Sequence, residues 1–233
     1  MRCIVTAMVV WERPEPPERP ALAPLSRELI VGAAIRLADA DGLDAVSLRK
    51  IATALDVGPM RLYGYIENKE ELLDLMVDAA HAEIRPTGAG WREVLRSLAD
   101  AMRRAVHRHE WLADLLGGRP QLGPHALATA EAVMAALGDV GVDSAMPVVS
   151  AVNAYTIGAV RREIAERRAE RATGLDEQRW QATLGPYLTR AFAGGNLPAL
   201  ATVVRDAVHL DADETFRMGL DFLLDGIEAR VSG

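Results

Sequence analysis

Ser47-Leu48-Arg49-Lys50-Ile51-Ala52-Thr53-Ala54-Leu55-Asp56-Val57-Gly58-Pro59-Met60-Arg61-Leu62-Tyr63-Gly64-Tyr65-Ile66 is the stretch on which the reading of this 233-residue chain turns. Ser47 is an N-cap residue, and Leu48, Ile51, Ala52 and Leu55 follow at helical spacing. Asp56-Val57-Gly58 supplies a tight turn, and Pro59 suits the first position of a further short helix. Helix, three-residue turn and short helix make a helix-turn-helix, in which a steep crossing frees the second helix for a DNA major groove. Leu62 and Ile66 are expected to face Ile51 and Leu55, which turns Met60 and Gly64 outward and leaves Arg61, Tyr63 and Tyr65 on the flanks.

Working outward, Ser26 with Glu28 opens a helix carrying Leu29, Ile30, Ala33, Ala34, Leu37 and Ala38, closed by Asp41-Gly42. Asn68 with Glu71 opens another, running to about Glu83. Pro86, Gly88 and Gly90 break the pattern, and the periodicity beyond stays helical: Trp91 to His109, Ala126 to Leu137, Ser144 to about Arg171, Glu177 to Ala193, Leu197 to Val208 and Asp213 to Val231. The expectation is an all-α protein with a Pro-rich arm (1–25), a helix-turn-helix domain with a connecting helix (26–85) and a C-terminal helical domain (86–233). Pro14, Pro16, Pro17, Pro20 and Pro24 make the arm extended and mobile, or a limb reaching the minor groove with Arg13 and Arg19.

Composition sets limits. Half the residues are apolar and Cys3 is the single cysteine, so a buried core is available and an internal disulfide is not. The apolar opening Ile4–Trp11 runs into charge and proline, which argues against a signal peptide, and no later run reaches the about 18 apolar residues of a membrane span. A cytoplasmic protein is expected. No phosphate loop, nucleophile elbow or metal motif is present, so neither an enzyme nor a bound metal or cofactor is expected. The net charge is −7, and residues 1–85 hold 10 Arg/Lys against 14 Asp/Glu, which weakens non-specific affinity for nucleic acid. Arg49, Lys50, Arg61 and Lys69 are nevertheless concentrated around one proposed reading head. A helical ligand- or partner-binding protein without DNA binding is the alternative that this acidic balance keeps open.

Ser47-Leu48-Arg49-Lys50-Ile51-Ala52, Leu55-Asp56-Val57 and Leu62 to Leu73 (Leu-Tyr-Gly-Tyr-Ile-Glu-Asn-Lys-Glu-Glu-Leu-Leu) resemble the DNA-binding domain of the tetracycline-repressor (TetR) family. The resemblance implies a homodimeric regulator that binds double-stranded operator DNA and is released by a small-molecule inducer. It implies that Arg49, Met60, Arg61 and Tyr65 approach bases, that Ser47, Tyr63 and Lys69 grip phosphates, and that Lys50, Pro59 and Gly64 lie in the same interface. More loosely, His109-Glu110-Trp111-Leu112, Gly118-Arg119-Pro120, Tyr155-Thr156-Ile157-Gly158 and Phe216-Arg217-Met218-Gly219-Leu220 resemble the family's C-terminal domain. Trp111, Arg119, Asn153, Tyr155, Trp180, Tyr187 and Phe192 are the expected ligand contacts. Gly219 and Gly226, seven apart with Phe222 and Leu223 between them, give the last helix a face small enough for a dimer contact, and Gly158 offers the same on an earlier helix. Leu115 and Arg162 stand where the tetracycline repressor presents metal ligands, which argues against recognition of a magnesium chelate.

Overall fold

The computed structural model describes residues 9–17, 24–118, 120–208 and 210–231, and these are all-helical. Packing divides the chain into two compact units, one ending at Ile157 and one beginning at Gly158. The first contains α1 (Arg27–Asp41), α2 (Leu48–Ala54), a 3-10 helix (Pro59–Gly64), α3 (Lys69–His81), α4 (Trp91–Arg108), α5 (Leu112–Leu115), α6 (Pro124–Ala136) and the start of α7 (Val142–Thr173). The second contains the rest of α7, then α8 (Glu177–Ala193), α9 (Pro198–Asp206) and α10 (Ala212–Val231). The border expected at 85/86 coincides with the loop between α3 and α4 but not with a gap in packing, because α3 packs on α6.

Local chemistry explains three starts and one stop. Ser26 Oγ accepts from Leu29 N (3.2 Å), Ser47 Oγ from Lys50 N (3.3 Å) and Asn68 Oδ1 from Glu71 N (2.8 Å), so three helices begin where their capping residues stand. Gly42, at φ +80°, ends α1 as the Asp41-Gly42 pair predicts. The turn between α2 and the 3-10 helix departs from expectation. Its left-handed residue is Asp56 (φ 53°), while Gly58 is extended at φ −68°, ψ 135°, the conformation a following proline enforces.

The short helix expected after the turn is a six-residue 3-10 helix, with Arg61 N donating to Gly58 O (3.0 Å) and Tyr65 N to Leu62 O (2.9 Å). Pro59 at its start and Gly64 at its end leave too few good helix formers for a longer α segment. Leu62, Ile66 and Ile51 are fully buried together with Ile30, Leu72 and Met76, which closes the core of the helix-turn-helix.

Two acids, the buried Asp78 and the exposed Asp39, fasten α3 and α1 to the segments C-terminal to α4. The N-cap position of α6 is Gly123, which has no side chain to offer, and Asp78 of α3 supplies the cap instead. Its carboxylate, 4% exposed, accepts from Ala126 N (3.0 Å), His125 N (3.1 Å) and His125 Nδ1 (3.0 Å). A Cβ on Gly123 would lie 2.2 Å from Asp78 Cγ, so only glycine admits the acid so close. Asp39 of α1 performs the second fastening, its Oδ1 accepting from Trp111 Nε1 (2.7 Å) and lying 2.8 Å from His109 Nδ1.

Because Gly58 already holds a conformation open to any L-residue and a Cβ there meets nothing within 4 Å, Gly58→Ala is expected to stabilise the protein by about 0.5 kcal/mol by restricting the unfolded chain. Thermal denaturation checks it. A drop in Tm would return the turn's strain to Gly58.

Candidate nucleic-acid interface and ligand-binding region

Ser47, Arg49 and Lys50 stand exposed on the first turn of α2, and Pro59, Met60, Tyr63 and Gly64 stand exposed on the 3-10 helix. Met60 is 79% and Tyr63 52% accessible, large for apolar and aromatic side chains on a rigid module. Lys69, exposed, opens α3 beside them, and Arg61 is half-exposed. These nine of the ten predicted interface residues are carried on one closed core.

Tyr65 is the exception. It is 6% exposed, and its backbone oxygen accepts from Arg13 Nη2 (3.2 Å) and Arg27 Nε (3.0 Å). Three residues per turn place Tyr65 in line with Leu62, where the 3.6-residue wheel had placed it on a flank. It is a core residue and not a base reader.

The proline-rich arm is docked over residues 9–17, against the expectation of a mobile tail. Val10 is buried, and Arg13 forms a fork on Glu71 (Nη1 to Oε1 3.0 Å, Nη2 to Oε2 2.6 Å) while its Nη1 also lies 2.5 Å from Glu67 Oε1. Arg13 is thereby engaged within the chain; Arg19 lies outside the described residues. The Arg13 hydrogen bond holds the Glu71 carboxyl below the usual carboxylate range against the opposing effect of burial, and the same contact raises Arg13. Sequence reasoning missed this clasp because its partners are 58 residues apart.

The predicted ligand contacts separate into different surroundings. Trp111 is 2% exposed, bonded to Asp39 and 5.7 Å from the His109 ring, so it fastens the core. Asn153 and Tyr155 are half-buried on α7, and Asn153 Oδ1 is a buried acceptor without a protein donor. Trp180 and Tyr187 on α8 are 51% and 61% exposed, Phe192 is half-buried, and Arg119 lies outside the described residues. A cavity of about 220 Å³ in the first unit is lined by His81, Ile84, Arg85, His125 and Thr129, among others, and by none of the predicted contacts.

On α10, Phe216, Leu220 and Leu224 are buried at four-residue spacing. The opposite side shows Met218, Phe222 (70% exposed) and Gly226 in the open, with Gly219 and Leu223 half-buried. Added Cβ atoms at Gly158 and Gly226 would meet nothing within 4 Å. Among the described residues, no group of three or more His, Cys, Asp or Glu could hold a metal, and no helix is long and apolar enough to cross a membrane.

Two family models match the chain: "Bacterial regulatory proteins, tetR family" over residues 30–76 and "Tetracyclin repressor-like, C-terminal domain" over 85–231. The HTH-type transcriptional repressor DrrR1 of Streptomyces coeruleorubidus is 34% identical over 97% of this chain and 86% of its own length. The apo structure of ActR from Streptomyces coelicolor superposes with a TM-score of 0.76 at 27% identity, covering 91% of this chain and 99% of that one. The TetR-family protein ActR in complex with actinorhodin gives 0.73 at 26% identity, over 89% and 97%.

The Arg13–Glu71 clasp predicts a pH dependence. With the folded Glu71 carboxyl lowered, its contribution is complete above the unfolded carboxylate range and lost as pH falls through the folded value. Glu71→Gln is therefore expected to cost about 1 to 2 kcal/mol near neutral pH. The gap from wild type should narrow as the solution is acidified below about pH 4. Parallel melting curves for the two proteins test this, and a gap that persists at low pH would contradict it.

Proposed function

The chain belongs to the TetR family of bacterial regulatory proteins, and on that premise we propose that it is a cytoplasmic, homodimeric, non-enzymatic repressor that binds operator DNA and releases it when a small molecule occupies the C-terminal region. The observation that carries this reading is the exposure of Ser47, Arg49, Lys50, Met60, Tyr63 and Lys69 on one rigid module whose interior Ile51, Leu62 and Ile66 close. Arg49 reads a base edge, Met60 makes an apolar contact in the groove, and Ser47, Tyr63 and Lys69 hold phosphates. The acidic balance of residues 1–85 favours a second reading, a ligand-binding protein without DNA binding. A gel shift with the DNA flanking its own gene separates the two.

Arg49→Ala is expected to lose about 1 to 3 kcal/mol of operator affinity and relax preference at one position. Lys69→Ala should weaken operator and random duplex alike and flatten the salt dependence. Titrations of both variants on both duplexes at several salt concentrations decide, and equal behaviour of the two mutants would remove the assigned roles.

A dimer is supported by apolar surface that one chain leaves uncovered: Trp180, Leu200, Val203, Val208, Met218 and Phe222 are all exposed on or beside α8 to α10. A two-fold pair of reading heads calls for a palindromic operator with half-site centres about one helical turn apart. Gly226, open on that surface, is where an added side chain should push the partner away. Gly226→Leu is expected to shift sedimentation toward monomer and to lose operator binding with it; a dimeric variant with full affinity would rule the interface out.

Release requires a rigid link from ligand to reading head. α3 begins beside Lys69 and ends at α6, where Asp78 caps that helix, so a ligand that displaces α6 moves α3. The coupling needed is about 1 to 3 kcal/mol. Asp78→Ala should blunt the loss of gel shift that inducer causes in wild type, measured on folded dimer. A full response, or one abolished by EDTA, would sink this route, since Leu115 and Arg162 stand where a chelate would need its metal ligands.

A further inference from the structure

Residues 12–17 lie on the reading head in a way that DNA would have to undo. Arg13 grips Glu71 and Glu67 and donates to Tyr65 O, while Arg27, at the N-terminus of α1, donates from Nε to Tyr65 O and from Nη1 to Arg13 O (2.6 Å). Glu15 Oε1 accepts from Arg27 N (3.1 Å), so a carboxylate sits on the first free amide of a 15-residue helix, a place suited to a phosphate oxygen. Pro16 covers the exposed end of the 3-10 helix: its Cγ would be 3.2 Å from a Cβ on Gly64. Gly64 is therefore small beneath the arm. Glu12 and Glu15 are both exposed, which brings negative charge to the edge of the surface assigned to phosphates.

We propose that residues 12–17 form an autoinhibitory strap that occupies, with Glu15 and Pro16, the ground beside Gly64 and the N-terminus of α1 that a DNA backbone takes, and that DNA binds only when the Arg13 clasp on Glu71 opens. The inference rests on the DNA-binding function proposed for the chain. Pro14, Pro16 and Pro17 suit the part, since they keep the segment extended and prevent it from folding into a helix of its own. Low basal affinity arises from the same contacts, because every binding event must break a fork of hydrogen bonds to a charged acid. The strap sets a threshold against weak, non-specific sites.

Glu15→Gln removes the charge that mimics phosphate, Glu71→Gln loosens the clasp, and Arg13→Ala unties the strap. Each is compared with the full chain by anisotropy titration on the DNA flanking its gene and on an unrelated duplex. Each variant is expected to bind both duplexes about threefold to tenfold tighter, the scale of a partly buried ion pair. Trp11, whose Nε1 is buried without a partner, gives a second readout, taken as the difference between each protein and its Trp11→Phe counterpart: this emission should move to the red in Glu71→Gln without DNA, and in the full chain on adding DNA. Folded variants that bind as well as the full chain or more weakly, or a Trp11 signal that DNA leaves unmoved, overturn the strap while the DNA-binding function stands. If neither the full chain nor any folded variant binds either duplex, that function falls, and the strap with it.

Discussion

A carboxylate taken out of water must find donors for its oxygens or lose several kcal/mol, and this constraint organises the first unit around Asp78. The acid lies in α3, but its donors are the first amides of α6, a helix whose own N-cap position is glycine. Neither partner is complete alone. The helix lacks a cap and the acid lacks donors, so each enforces the other's position, and Gly123 is fixed by the closeness of the two. Asp39, at the surface, adds a second tie that joins α1 to Trp111 and His109. Residues on either side of the 85/86 loop therefore pack as one body. That is the mechanical condition for a change at α6 to be felt at the reading head.

Short-range chemistry was legible in the sequence. Ser26, Ser47 and Asn68 announce helix starts because a capping side chain bonds an amide three residues away, and the i, i+4 pair Leu62 and Ile66 announces the inward face because one turn brings them together. Features that stayed hidden depend on partners far along the chain or on a change of helical pitch. Tyr65 is misplaced by an α-helical wheel and correctly placed by a 3-10 one, and nothing local distinguishes the two except Pro59 and Gly64 at the ends. The bond from the Trp111 indole to Asp39 is equally hidden, because the two residues are 72 apart. The docked arm is the clearest case: five prolines specify an extended chain but not the surface it rests on.

Electrostatics reconcile an acidic chain with a DNA-binding role. Much of the negative charge near the reading head has an internal use: Glu71 and Glu67 hold Arg13, and Asp78 is enclosed in the seam. Arg49, Lys50 and Lys69 remain displayed at the surface. Net charge alone thus misjudges the face offered to a polyanion, because most of these carboxylates already face cations or amides.

Trp111 carries a further consequence. Of the chain's four tryptophans it is the deeply buried one, with its indole N–H bound to Asp39 and its ring near His109, while Trp11 and Trp91 are partly accessible and Trp180 is half exposed. An indole in that setting emits toward the blue, and its emission is sensitive to the distance and orientation of the neighbouring imidazole. The seam between α1 and the segment after α4 is consequently its own optical gauge: a protein reduced to Trp111 by conservative replacement of the other three would show, without any attached dye, whether that seam opens, and how fast.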